Sequence, residues 1–298
     1  MENRFKLALC QMRIVAEEEE NLKTAEAMIR EAAEGGARFV CLPEMFHCPY
    51  EPAAFRAAWE RGHENLLALL SHWALDNRVY LVAGSLCEKD GPRLYNTSFV
   101  FDPSGRQIAR HRKVHLFDVD LPELHMKESD SFTPGSEATV FDTQYGPMGL
   151  GVCFDGRFPE LFRAEALQGA RLIFLPAQFN TTTGPLHWEL MLRSRAVDNQ
   201  VFFAGASAAR NEEASYHCWG HSTVTDPMGR VLAACDETEQ ILYCDLDLSL
   251  AEDARQRLPL LESLRRDVYP VPLFRQTAVA VEPAPEEPIR WAYQDEEE

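Results

Sequence analysis

No run in this sequence approaches the ~20 consecutive apolar residues that a membrane-spanning helix requires, so no membrane partner is expected. Basic residues are scarce: 29 Lys and Arg stand against 47 Asp and Glu, a net charge of −18. Nucleic-acid binding needs clustered Lys and Arg, so nucleic acid is excluded as an expected partner. Part of the acidity is local, because seven acids and one Arg fall between Glu282 and Glu298. The eight cysteines contain no C-x-x-C pair, and most lie inside apolar runs. Reduced, buried thiols are expected rather than a disulfide framework or a zinc site. H-E-x-x-H, G-x-S-x-G, a P-loop and G-x-G-x-x-G are also missing, which removes support for zinc-protease, serine-hydrolase and nucleotide-binding readings. His111, His115 and His125 fall in a stretch that reads as strand and loop, so their spacing puts no pair on one helix face. No metal and no cofactor are expected. The chain enters a strand pattern at Phe5 without a leader-like apolar segment, and the expected location is cytoplasmic.

What is present is a 298-residue chain, 46% apolar, with ample material for a core. It is organised around Gly151-Val152-Cys153-Phe154-Asp155-Gly156-Arg157-Phe158-Pro159-Glu160-Leu161. Small apolar residues lead into a cysteine, and an amphipathic segment starts just beyond, the pattern of a buried strand turning sharply into a helix. Backbone N–H groups at such a turn favour a thiolate and can receive a developing oxyanion, which marks Cys153 as the candidate nucleophile.

The chain before and after this point echoes itself. Gly36 to Pro43 (GARFVCLP) matches Gly169 to Pro176 (GARLIFLP), and Val79 to Ser85 (VYLVAGS) parallels Val201 to Ser207 (VFFAGAS). Asp102-Pro103 with Gly105-Arg106 returns as Asp226-Pro227 with Gly229-Arg230, and Leu7 to Cys10 lines up with Leu150 to Cys153. These matches keep one order, so two similar halves are expected, each a sheet with helices on one face. Packing the bare faces together gives an α/β fold of four layers, an α-β-β-α sandwich. The pattern predicts helices over 17–34, 53–76, 159–168 and 186–199, and a long loop over 116–136. The domain is expected over 1–270, followed by a C-terminal arm and acidic tail over 271–298.

The candidates for chemistry are unevenly shared between the halves. Leu42-Pro43-Glu44 has Leu175-Pro176-Ala177 as its counterpart, so one site assembled from both halves fits better than two. Glu44 follows a buried strand and a proline, where side chains leave the carboxyl end of a sheet. Screened by Met45, Phe46 and Tyr50, its pKa would rise and it would serve as a base near neutrality. By position alone it is equally an N-cap or a surface carboxylate. Lys113, in the basic stretch Arg110 to Lys113, reads either as a solvated face or as the fixed cation that a thiolate and an oxyanion need. Glu128 is either the partner of that lysine or an ordinary loop charge.

Glu44 in LPEMF, Lys113 in HRKVHLF and Cys153 in GVCFDGRFPEL together resemble the nitrilase (carbon–nitrogen hydrolase) superfamily, over about residues 5–270. The resemblance implies the same α-β-β-α sandwich, a catalytic Glu44–Lys113–Cys153 set, and Glu128 as a second glutamate. FNTTTGPLHWELMLRSRAVDNQ (179–200), CWGHSTVTDPMGRVL (218–232) and HRKVHLFDVDLP look most like the omega-amidase branch, which hydrolyses the terminal amide of 2-oxo dicarboxylate monoamides such as 2-oxoglutaramate and 2-oxosuccinamate. Phe154 stands where a tyrosine is commoner, Gly156 replaces a larger residue, and Gln178 replaces a small one. All three fall at or near the expected pocket and bear on substrate choice.

The mechanism the resemblance implies has Glu44 as base and Cys153 as nucleophile. Lys113 and the backbone N–H of Phe154 meet the oxyanion, and a thioester is hydrolysed in the second step. Tyr50 and Arg157 are candidates for holding the substrate carboxylate, although Arg157 also suits an ion pair with Asp155 or Glu160. Alternative activities are hydrolysis of deaminated glutathione, an N-carbamoyl amine or a nitrile, or a non-catalytic binding subunit. The expected partners are a small amide substrate and further copies of the chain, as a homodimer or higher oligomer. The Pro-rich, apolar stretch from Tyr269 to Trp291 is the candidate arm.

Overall fold

A computed structural model describes residues 2–121 and 124–270; the tail over 271–298 and most of the expected arm lie outside the described residues. The first sheet runs in the order β15 (Gln240–Asp247), β1 (Arg4–Gln11), β2 (Phe39–Cys41), β3 (Tyr80–Val82), β5 (Arg93–Phe101), β4 (Leu86–Asp90), with β6 (Gln107–Arg112) also paired to β5. The second runs β14 (Val231–Ala234), β13 (Thr223–Thr225), β12 (Phe202–Ser207), β11 (Leu172–Ala177), β10 (Gly146–Leu150), β9 (Thr139–Thr143). In each, three parallel strands are followed by an antiparallel hairpin turned at Asp-Pro-x-Gly-Arg, so the sequence repeat is a structural one. Each also gains an antiparallel neighbour for its first strand, β15 beside β1 and β9 beside β10.

Strand alternation builds the layers. Leu7, Leu9, Phe39 and Val82 from the first sheet meet Leu150, Leu172, Phe174 and Phe202 from the second in one buried cluster between the sheets. The rings of Phe39 and Phe174 stack across that boundary with centroids 5.8 Å apart. The alternate residues, such as Ala8, Cys10 and Val40, pack beneath α1 (Glu18–Glu34), α2 (Pro52–Arg61) and α3 (Glu64–Asn77). Ile173, Leu175 and Phe203 do the same beneath α4 (Pro159–Leu167) and α5 (Gly184–Asn199). A further helix, α6 (Ser249–Arg257), follows β15. The order of layers is α-β-β-α.

Two expectations are corrected. The helix expected over 53–76 is broken into α2 and α3, because Gly62 has a φ of +79°, outside the helical region. The loop expected over 116–136 contains a hairpin, β7 (Asp118–Leu121) and β8 (Leu124–Lys127), and a short 3-10 turn at Glu128–Asp130. Strands of four residues are too short for their alternation to register as a pattern. β4, β9 and α6 are additions that the sequence pattern did not single out.

Candidate active site

Glu44 leaves the carboxyl end of β2 where β3 ends beside it. The approach is tight: a Cβ on Gly84, at φ +55°, would lie 2.0 Å from the Pro43 carbonyl oxygen, so only glycine fits. Glu44 is fully buried (0% exposed), which removes the surface alternative, and the next helix begins only at Pro52 with Glu51 as its N-cap, which removes the other. Its Oε1 accepts from Lys113 Nζ at 2.9 Å and Asn96 Nδ2 at 2.8 Å, and its Oε2 accepts from the Gln178 backbone N–H at 2.9 Å. Burial raises its pKa and Glu128 adds to the rise, against the opposing pull of Lys113.

Lys113 is 1% exposed, so it is not part of a solvated basic face. Nζ donates to Glu44, to Glu128 Oε1 at 3.1 Å and to the Tyr50 hydroxyl at 3.2 Å, which uses all three ammonium protons. Burial alone would lower its pKa, but Glu128 and Glu44 outweigh burial and hold it above the ordinary lysine value. Glu128 is itself buried, and it reaches the cluster because the β7–β8 hairpin returns the chain. Its Oε2 accepts from the Phe117 backbone N–H at 2.6 Å.

Cys153 opens a five-residue 3-10 turn (Cys153–Arg157) with a φ of +45°. A non-glycine residue there is strained by about 1–3 kcal/mol, which the surroundings must hold in place. Asp155 is the holder. It accepts from the backbone N–H groups of Val152 at 3.0 Å and His115 at 2.9 Å, and lies 3.0 Å from His111 Nε2 and 2.8 Å from His115 Nδ1. Burial pushes the Asp155 carboxyl up, but hydrogen bonds from His111 and His115 prevail and keep it far below the carboxylate range. These two histidines therefore brace the cysteine turn, while His125 pairs with Asp120 on the exposed β7–β8 hairpin.

The Cys153 thiol interacts with Glu44 and lies 3.8 Å from the Gln178 carbonyl. Its pKa is raised by burial first and by Glu44 second, with Lys113 opposing. Burial beside a carboxylate therefore acts against the thiolate that the turn's N–H groups were expected to favour. The structure brings Glu44, Lys113, Glu128, Tyr50 and Cys153 into one connected buried network.

Arg157 sits outside that network on the same turn. Its guanidinium lies over the rings of Phe179, at 4.7 Å, and Phe154, at 5.7 Å, and reaches His187 Nδ1 at 3.1 Å and Thr183 Oγ1 at 2.9 Å. Among the described residues it has no carboxylate partner; Asp155, one of the two expected, is committed to the histidines. Burial lowers the Arg157 pKa, and Cys153 and Tyr216 pull it back up, which places it within electrostatic reach of the thiol.

Asn96 is an addition to the candidate set, and Gln178, expected at or near the pocket, holds Glu44. Asn96, on β5, donates to Glu44 and, at 3.0 Å, to Glu128, holding the carboxylates on either side of Lys113. Gln178 also donates its Nε2 to the Glu44 backbone carbonyl at 2.9 Å, and its own carbonyl accepts from Tyr216 at 2.9 Å. A buried strand is an unfavourable place for asparagine, and that is the one sequence signal for Asn96. A cavity of about 690 Å³ is lined in part by Tyr50, Gln178, Tyr216 and Cys218. Cys153, Lys113 and Arg157 are not among its lining residues, so it meets the site behind Tyr50 and Gln178.

A thiol, a carboxylate and a lysine ammonium thus share one enclosure, and known proteins share the chain's sequence and fold. Residues 6–256 match the carbon-nitrogen hydrolase family. The omega-amidase NIT2 of Mus musculus is 46% identical over 268 residues, 90% of this chain and 97% of that protein. Nit3 of Saccharomyces cerevisiae, a member of branch 10 of the nitrilase superfamily, superposes with a TM-score of 0.82 at 40% identity, covering 89% of this chain and 97% of that one. A glutamate-to-leucine mutant of the Nesterenkonia sp. AN1 amidase, with the acetamide moiety of fluoroacetamide added covalently at the active site cysteine, gives a TM-score of 0.76 at 26% identity over 89% of this chain and 95% of that one. This chain belongs to the carbon–nitrogen hydrolase family and is a hydrolase of carbon–nitrogen bonds.

Proposed function

We propose that this protein is a cysteine-dependent amidase that hydrolyses the terminal amide of 2-oxo dicarboxylate monoamides, such as 2-oxoglutaramate and 2-oxosuccinamate, to the 2-oxo acid and ammonia. The observation that carries the reading is the Glu44–Lys113–Glu128 network closed against the Cys153 thiol, with Arg157, lacking a carboxylate partner among the described residues, on the same turn. The likeness to omega-amidase NIT2 over nearly its whole length supports the substrate class.

The chemistry runs in two halves. Glu44 takes the thiol proton as Cys153 Sγ bonds to the amide carbon, so that no free thiolate accumulates at a thiol whose pKa is raised. The oxygen that gains charge is met by the Phe154 backbone N–H and by Lys113 Nζ, whose 3.2 Å bond to Tyr50 is the longest of its three and the one that yields. Collapse breaks the carbon–nitrogen bond while protonated Glu44 gives its proton to the leaving ammonia. Water then attacks the thioester with Glu44 again as base, and the acid leaves as the thiol regains its proton. Glu128 and Asn96 keep Lys113 and Glu44 in register. Arg157, with Tyr50 as a second donor, binds the far carboxylate of the substrate.

Ammonia release from 2-oxoglutaramate, deaminated glutathione, an N-carbamoyl amine and a nitrile tests the reading. The expected result is preference for 2-oxoglutaramate, abolished in Cys153→Ala, with an acyl-enzyme mass on Cys153 in the native protein. Equal turnover of the other substrates would defeat the substrate assignment. Unchanged turnover in Cys153→Ala would defeat the mechanism and reopen a binding-subunit reading. Two further features belong to the proposal. Leu186, Leu190 and Val197 form an exposed apolar face on α5 beside Met228, which supports a homodimer. Eight unpaired cysteines support a reducing, cytoplasmic location.

A further inference from the structure

Met45, His47 and Cys48 follow Glu44 directly, and Cys87 approaches them from β4. One donor atom from each of His47, Cys48 and Cys87 lies within 4.8 Å of the others. Cys48 Sγ is 3.7 Å from His47 Nε2, and Cys87 Sγ is 3.8 Å from Met45 Sδ. All four side chains are buried. Around a tetrahedral ion with metal–sulfur bonds of about 2.3 Å and metal–nitrogen bonds of about 2.0 Å, adjacent sulfur and nitrogen donors stand about 3.5 Å apart and adjacent sulfurs about 3.8 Å apart. The two separations in the protein are already close to those.

The histidine is oriented for the same purpose. Its Nε2 accepts the Cys87 backbone N–H at 3.3 Å, which leaves the ring proton on Nδ1, 3.0 Å from Glu18 Oε1. A carboxylate behind Nδ1, fixing the tautomer that leaves the lone pair on Nε2, is the usual outer shell of a metal-bound histidine, and an ion would take the place of the Cys87 N–H on that lone pair. Glu18 is partly exposed and pairs with Arg61 at 2.8 Å, so the outer end of the cluster approaches solvent there. The sequence gives the cluster no motif, because Cys48 and Cys87 come from separate elements and only the fold joins them.

We propose that His47, Cys48 and Cys87, closed by Met45, form a binding site for a soft d10 cation, Zn²⁺ or Cu⁺, distinct from the amide-hydrolysing centre. Two thiolates, an imidazole and a thioether are the donors that such ions select over harder ones. A bound ion would tie the segment that carries Glu44 to β4, where Cys87 stands opposite Asn96 in register.

Cadmium, a soft d10 probe, tests the site in the full-length Cys153→Ala protein kept reduced with a phosphine. One Cd²⁺ per chain is expected, with thiolate-to-cadmium charge-transfer absorption and a melting temperature that rises with Cd²⁺ concentration. In that background Cys48→Ser and Cys87→Ser should each weaken binding by more than about a hundredfold and Glu18→Gln by about tenfold. Cys41→Ser, a buried thiol in β2, should leave binding unchanged. His47→Gln, which keeps both thiols, should weaken binding by about tenfold or more and carries the test if a serine variant does not fold. Absence of the charge-transfer band at stoichiometric Cd²⁺, or a band that survives loss of Cys48 and Cys87, would overturn the site. Zn²⁺ and Cu⁺ are then compared in Met45→Leu: loss of affinity for Cu⁺ alone assigns the site to copper, equal loss for both keeps zinc as an occupant, and no loss for either overturns Met45 as the closing donor.

Discussion

Gln178 grips Glu44 at two points: its backbone N–H donates to Oε2 and its side-chain amide donates to the Glu44 carbonyl, both at 2.9 Å. Glu44 follows β2 and Gln178 follows β11, so equivalent strand ends of the two halves meet at the base of the proposed reaction. Gln178→Ala keeps the first bond and loses the second. A fall in kcat of about tenfold is expected, near 1.4 kcal/mol, with little change in KM or melting temperature. Wild-type kcat in this variant would mean that the side-chain bond does not position the base.

Glu44 must be ionised to accept the thiol proton, and its pKa is raised by burial and by Glu128. The acid limb of the kcat/KM profile is therefore expected above the ordinary glutamate value of about 4.3. Glu128→Gln removes one cause of the rise, so the limb should move to lower pH in that variant. A limb that stays in place or moves upward would sink the assignment of Glu44 as base. Lys113, held above its ordinary value by the two carboxylates, should add no alkaline limb below about pH 10.

Lys113→Met leaves Glu44 and Glu128 buried together without their cation. A loss of about 3–5 kcal/mol is expected at neutral pH by denaturant unfolding. Glu44, already raised by burial, would then bind its proton still more tightly folded than unfolded. That contribution is present at low pH and is lost as pH rises through the folded pKa. The deficit relative to wild type should be smaller at about pH 5 than at about pH 8. A deficit independent of pH would argue that the lysine acts through packing.

Arg157→Ala should raise KM for a carboxylate-bearing amide by about tenfold to a hundredfold, the worth of a charged hydrogen bond. Turnover of a neutral short-chain amide should change little. Equal losses on both substrates would assign Arg157 to support of the Cys153 turn.

Leu190→Glu places a charge in the centre of the exposed face of α5. Sedimentation velocity should show a smaller species than wild type, with the melting temperature of dilute protein nearly unchanged. An unaltered sedimentation coefficient would remove this face as the contact.

The repeat was legible because Gly-Ala-Arg and Asp-Pro-x-Gly-Arg punctuate both halves, and the structure pairs the strands they bracket in the same order. Glu44, Lys113 and Cys153 were legible as charged or reactive residues at strand ends. Asn96 was harder to find because an amide carries no charge pattern, and Gln178 was legible only as a departure near the pocket; their roles arise from register and from contact between the halves. The His47, Cys48 and Cys87 cluster has the same origin. Asp155 was read only as a possible partner for Arg157, because nothing in the chain announces that His111 and His115 will both turn toward it.

The pairing of β15 with β1 sets Arg4 opposite Asp247, so the strand that completes the first sheet is synthesised after every strand of the second. A ribosome delivers Glu44 and Lys113 well before Cys153, and Cys153 well before that strand. The nascent chain therefore carries an unpaired β1 edge until the strands of the second sheet have been made, a surface that invites aggregation or a chaperone. The first sheet, whose β2 leads to Glu44, is thus completed only after the second half, which carries Cys153, has been made.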